Sequence, residues 1–188
     1  MKTPKLSFKN ILFGLFLVLI IIPSTRQLIQ IQLHKGLAQF SPSVEDKEDR
    51  AVINNYNWNL IDINGNKYNF RQTENKVVLV SFWATWCPPC IAELPSLQKL
   101  YDDYKDKIEF VFVSNEDPKK LYEFSVHNGY TFKIYNPVES PAIELFKVTS
   151  IPRTFLIDKN GAIVIDKSGA ANWNSVKVRS IIDILLKD

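Results

Sequence analysis

The sequence predicts a mixed α/β domain in which a central sheet carries helices on both faces. Three observations lead there. Apolar β-branched runs alternate with proline- and aspartate-capped helical stretches through the first half of the body. A strand pair joined by a tight turn then follows, and an amphipathic segment closes the chain. That order of elements specifies a mixed sheet rather than a helical bundle or a β-sandwich.

Taken in order, Asn59–Ile63 and Asn66–Phe70 read as a β-hairpin across Asn64-Gly65, a dipeptide favoured in two-residue type I′ turns. Lys76–Trp83 is a near-continuous apolar run, as a central strand buried on both faces requires. A helix is expected over Cys90–Tyr104 with Pro95 inside it, then a second buried strand over Ile108–Ser114. Asp117 as N-cap and Pro118 at the first helical position open a helix that ends at Asn128-Gly129. Phe132–Tyr135 reads as a short strand, and Ser140-Pro141 repeats the cap-plus-proline signal for a brief helix to Phe146. Arg153–Ile157 and Ala162–Asp166 pair across Asp158-Lys-Asn-Gly161. Val176, Ile181, Ile184 and Leu185 sit at helical spacing within Asn172–Lys187.

Ahead of this body lies a different kind of segment. Ile11–Ile22 has no polar side chain and follows Lys2, Lys5 and Lys9. The uncharged stretch Asn10–Thr25 spans about 24 Å as a helix, somewhat short of a ~30 Å hydrocarbon core, a gap that Lys9 and Arg26 can close by snorkelling. The length also suits the h-region of a cleaved signal peptide. However, Pro23-Ser-Thr-Arg-Gln-Leu28 is no small-residue cleavage site, and Gly36-Leu-Ala38 lies too far downstream. Residues 1–26 are therefore expected to be an uncleaved signal anchor, with the rest of the chain exported because the positive flank stays inside. Residues 27–52 are expected to be a stem and linker. Within them, 27–35 are too loosely patterned to decide strand from helix. Residues 53–188 form the domain.

Composition removes several function classes. The chain has 188 residues and a net charge of +3, but residues 51–188 carry equal numbers of acidic and basic side chains. A neutral body without a basic face argues against a nucleic-acid partner. Two cysteines, three positions apart, leave no disulfide-stapled scaffold, and two distant histidines supply no second ligand pair for zinc. No metal or other cofactor is expected.

The chemistry concentrates in Trp83-Ala-Thr-Trp86-Cys87-Pro88-Pro89-Cys90, where a buried strand gives way to a helix. Unpaired N–H groups and the positive dipole end stabilise a thiolate at the helix start. Cys90 lies one turn in, within disulfide reach of Cys87, and Pro88 and Pro89 stiffen the loop between them. Such a pair suits exchange, with an exposed thiolate attacking a substrate disulfide and a second thiol resolving the mixed disulfide.

Phe82–Cys90 resembles the active site of the thioredoxin superfamily, and residues 55–186 resemble its exported TlpA-like/ResA-like thiol–disulfide oxidoreductases. The resemblance implies a thioredoxin fold with an N-terminal hairpin and a helix–strand insertion over 115–137. It implies Cys87 as nucleophile and Cys90 as resolving thiol. Ile151-Pro152 is similar to the family's cis-proline, placing Ile151 and Pro152 with Trp86 and Pro88 at the substrate. Thioredoxins proper carry a buried aspartate six residues before the first cysteine, where this chain has Ser81. Glu93, one turn beyond Cys90, matches the acidic residue of the ResA-like branch and is expected to handle protons.

The implied function is an anchored reductase in the bacterial inner membrane, single-pass, with its domain facing the periplasm. Its partners would be oxidised exported proteins, apocytochrome c among the candidates, and an upstream membrane thiol–disulfide electron donor. A disulfide-forming oxidant, a thiol peroxidase on the same fold and a redox-inert binding module are the competing readings.

Overall fold

The computed structural model describes residues 8–141 and 143–187. Among these residues the sheet has seven strands in the order β2-β1-β5-β4-β3-β6-β7. They are β1 (Asn59–Asp62), β2 (Lys67–Asn69), β3 (Val78–Phe82), β4 (Glu109–Val113), β5 (Ile134–Pro137), β6 (Arg153–Ile157) and β7 (Ile163–Ser168). Strands β3, β4 and β5 run parallel, while β1, β2, β6 and β7 add antiparallel edges. The expected insertion is a helix followed by β5, which inserts between β4 and the hairpin.

The α-helices among the described residues are α1 (Phe8–Ile21), α2 (Pro23–Leu37), α3 (Pro88–Tyr104), α4 (Pro118–Asn128) and α5 (Val176–Leu185). Alternation along β3 splits its buried side chains between two cores. Leu79 belongs to the core that contains Leu94, Leu97 and Leu100 of α3, Leu121 of α4, and Val178 and Ile182 of α5. Val78, Val80 and Phe82 belong to the other core, which Trp58, Phe70, Phe146 and Phe155 fill with aromatic rings. Short 3₁₀ turns at Phe70–Thr73 and Glu144–Phe146 supply two of those rings.

Local signals set several boundaries. Asp117 accepts from the amides of Lys119 and Lys120 at 3.0 and 3.2 Å, and Gly129 closes α4 at φ 72°. Two expectations need correction. The hairpin loop is not a two-residue type I′ turn, because only Gly65 takes positive φ (89°). Gly65 N–H instead bonds Asp62 O, and the Asp62 carboxylate accepts from the amides of Asn64 and Asn66. The result is a three-residue loop. Ser140-Pro141 opens no helix, and the single 3₁₀ turn there begins after Ile143.

The stretch 27–35 is helical, as part of α2, and α2 lies against α3. Residues 38–53 follow the surface of the domain and do not hang free of it. Ala38 and Pro42 are buried, Glu45 N–H bonds Val164 O at 2.9 Å, and Val52 bridges Ala162. Helix α1 exposes apolar side chains around its circumference, Phe8, Phe13 and Ile21 among them. No helix among the described residues is long and apolar enough to cross a membrane. Lys2 and Lys5, part of the expected anchor, lie outside the described residues.

Candidate active site

Strand β3 ends at Phe82, and the chain crosses to α3 through Trp83–Trp86. Cys87 is the N-cap of α3 and is joined to Cys90 by a disulfide, with 5.2 Å between their Cα atoms. The motif therefore sits at the strand–helix junction that its sequence requires. One expectation is revised: the sequence points to an exposed nucleophile, yet Cys87 is only 3% exposed and Cys90 not at all. Cys87 retains the slightly greater exposure of the two. Trp86, by contrast, is 61% exposed beside the pair.

The prolines shape the electrostatics. Pro88 and Pro89 occupy the first two helical positions, so two of the usual first-turn N–H donors do not exist. Among the described residues, Cys87 Sγ receives one hydrogen bond, from Cys90 N–H at 3.3 Å. Ile151–Pro152 is cis, as the resemblance implied, and Pro152 is buried immediately before β6.

Glu93 is 1% exposed, on the core side of α3. Burial pushes its carboxyl up to about 8, against the opposing effects of its hydrogen bonds and of the Lys167 charge. Oε2 accepts from Trp173 Nε1–H and Ala171 N–H, both at 3.2 Å, and Oε1 lies 3.4 Å from Thr154 Oγ1. Thr154 Oγ1 also lies 2.9 Å from Ser81 Oγ, its register partner across β3 and β6. Ser81 is thus linked through Thr154 to the carboxyl on α3. Sequence reasoning finds Glu93 and Ser81 but misses Thr154, Ala171 and Trp173, which come from 61 to 80 residues away from Glu93. No local pattern marks them.

Another residue that sequence reasoning misses holds the loop before the cysteines. Glu116 accepts from Thr85 N–H at 2.6 Å and Thr85 Oγ1 at 2.8 Å, and pairs with Lys120 at 2.5 Å. Burial acts to raise its pKa, but the Lys120 and Thr85 hydrogen bonds outweigh it and hold the carboxyl below the ordinary range. The Asp117 cap just beyond it is the only sequence hint of an ordered turn here.

Residues 52–165 match the model of the AhpC/TSA family. The thiol–disulfide oxidoreductase ResA of Halalkalibacterium halodurans is 34% identical over 130 residues, covering 68% of this chain and 74% of that protein. ResA of Geobacillus kaustophilus is 36% identical over 106 residues, covering 55% of this chain and 61% of that protein. Among solved structures, a DsbF homologue from Corynebacterium diphtheriae aligns with a TM-score of 0.60 over 79% of this chain and 93% of its own, at 19% identity, a likeness of fold. With a Cys87–Cys90 disulfide at the start of α3, the chain belongs to the AhpC/TSA family and is a ResA-like thiol–disulfide oxidoreductase of the thioredoxin superfamily.

Proposed function

We propose that the protein reduces disulfides of exported proteins on the outer, periplasmic side of the cytoplasmic membrane, held there by its N-terminal apolar helix. The observation that carries the direction of transfer is the scarcity of donors around Cys87 Sγ in the disulfide form, where it receives one N–H, from Cys90, and where Pro88 and Pro89 withhold two of the first-turn N–H groups expected to support a thiolate at a helix start. A couple is oxidising when its reduced, thiolate form is stabilised, so weak stabilisation makes the pair reducing.

In the forward reaction, Cys87 thiolate attacks one sulfur of the substrate disulfide, forming a mixed disulfide and releasing the other sulfur as thiolate. Cys90 then attacks Cys87 Sγ, closing the Cys87–Cys90 bond and freeing the second substrate thiol. Glu93, in the ionised form it takes as pH rises through about 8, accepts the Cys90 proton. Electrons return from a membrane thiol–disulfide donor. Pro152, Ile151, Trp86 and Pro88 border the approach to the cysteines.

A thiol-peroxidase reading requires a threonine hydroxyl and an arginine turned to the thiolate. Thr85 Oγ1 instead donates to Glu116, and Arg153 is paired with Asp166 at 2.7 and 2.9 Å. Exchange is favoured over peroxide reduction on that ground.

Spheroplasts provide the test. Added protease should remove the domain, and an oxidised secretory protein supplied outside should gain free thiols only in cells carrying intact Cys87 and Cys90. A domain protected until lysis, or a secretory protein that gains disulfides instead of losing them, contradicts the proposal.

A further inference from the structure

The domain is not alone at its active site. Helix α2 lies along α3, and the residues that follow it run past the cis-proline. A cavity of about 410 Å³ opens there, between His34 and Phe40 of the stem and Pro89, Ile151, Pro152 and Lys167 of the domain. Pro89 stands between the two cysteines in the chain, so this cavity reaches the loop that carries them.

Phe40 is the unusual member. It is 72% exposed, a large apolar side chain left in solvent beside a reactive centre. Its backbone is held in place. Asn172 N–H donates to Phe40 O at 2.8 Å, and in the same loop Gly169 N–H donates to Pro152 O at 2.9 Å. The ring's backbone is therefore tied through one short loop to the proline at the cleft, and Ala38 and Pro42 on either side of it are buried. An exposed aromatic on an anchored backbone at the mouth of a pocket has the character of an interface anchor, because the backbone that carries it needs no ordering on docking.

The lining also specifies the partner's chemistry. Phe40, Pro89, Ile151 and Pro152 are apolar, His34 and Lys167 are the ionisable groups, and no carboxylate among the described residues lines the cavity. We infer that Phe40, carried by the stem, is a specificity-determining residue that seats an extended polypeptide whose disulfide cysteine is followed by an apolar residue and then an acidic one. The apolar side chain enters between Phe40, Pro89 and Ile151, and the acidic one meets Lys167 and His34 at the rim. This inference rests on the proposed reduction of protein disulfides, and it adds that the stem takes part in choosing which ones.

The test uses the reduced full-length chain and stopped-flow tryptophan fluorescence with three oxidants. Two are disulfide-linked peptides, one with Cys-Leu-Asp and one with Cys-Ser-Lys, and the third is uncharged dithiodipyridine. The intact protein should react about tenfold faster with the Leu-Asp peptide than with the Ser-Lys peptide. Phe40→Ala should lower the Leu-Asp rate constant about tenfold relative to that for dithiodipyridine and erase the preference, and Phe40→Tyr should restore it. The inference is overturned if the intact protein shows no preference, or if Phe40→Ala slows all three oxidants equally, since Phe40 then only supports the loop. A protein that reacts with dithiodipyridine but reduces neither peptide overturns the proposed function itself, and the inference with it.

Discussion

Cys87→Ser abolishes disulfide exchange, while Cys90→Ser still attacks and then accumulates mixed disulfides with its substrates. The asymmetry follows from position. Cys87 caps α3, keeps 3% of its surface open and receives the Cys90 amide, whereas Cys90 is fully buried one turn further in. Loss of the capping sulfur removes the nucleophile. Loss of the inner one removes only the step that releases the product, so the trapped species persists. Alkylation of the reduced protein at mildly acidic pH, followed by mass mapping, should label Cys87 first. Faster labelling of Cys90 reverses the assignment.

The second large effect is expected at Glu93. Glu93→Gln keeps the shape and the contacts to Trp173, Ala171 and Thr154 but removes the titration, and loss of a positioned general base typically slows its step ~10²–10⁴-fold. Resolution by Cys90 should slow, and the initial attack by Cys87 should change much less. The pH dependence carries the distinguishing information. With its carboxyl pushed up to about 8, Glu93 becomes a base as pH rises through that value, so resolution in the intact protein should climb between pH 7 and 9 more steeply than in the variant. The raised pKa also bears on stability in the disulfide form. Folded Glu93 keeps its proton up to about pH 8, while in the unfolded chain it ionises near 4.5. Its contribution is therefore complete below pH 4.5 and is lost as pH rises through 8. Urea denaturation should show the intact protein losing stability relative to Glu93→Gln as pH rises from about 5 toward 8, where each tenfold difference in proton affinity between folded and unfolded chains is worth ~1.4 kcal/mol. If rate, pH profile and relative stability are all unchanged in Glu93→Gln, Glu93 handles no proton.

Much of this site was legible because its chemistry is local. The Cys-Pro-Pro-Cys spacing, the apolar run before it and the cap at Asp117 each act within one or two turns of chain, and the structure places strand, junction and helix where those signals put them. What escaped the sequence depends on distant partners. Whether residues 27–35 are strand or helix is decided by packing of α2 against α3, which no pattern within that short stretch encodes. The environment of Glu93 is assembled by β6 and the loop before α5, so its burial could be suspected from helical spacing while its donors could not be named. Ser140-Pro141 shows the opposite failure. A good local start signal produces no helix there, because the chain has only a short span between β5 and the cis-proline. Its apolar residues Ile143 and Phe146 are committed to the aromatic core.

The central proposal is that the Cys87–Cys90 pair is a reductant, with Pro88 and Pro89 withholding N–H donors from the helix start that would otherwise support its thiolate. Equilibrating the full-length protein with glutathione buffers and quantifying the two cysteines by alkylation gives the reduction potential of the couple directly. The account predicts a value at or below about −250 mV, in the range of reducing dithiols. A value near about −120 mV, where strong disulfide-forming oxidants lie, would contradict it.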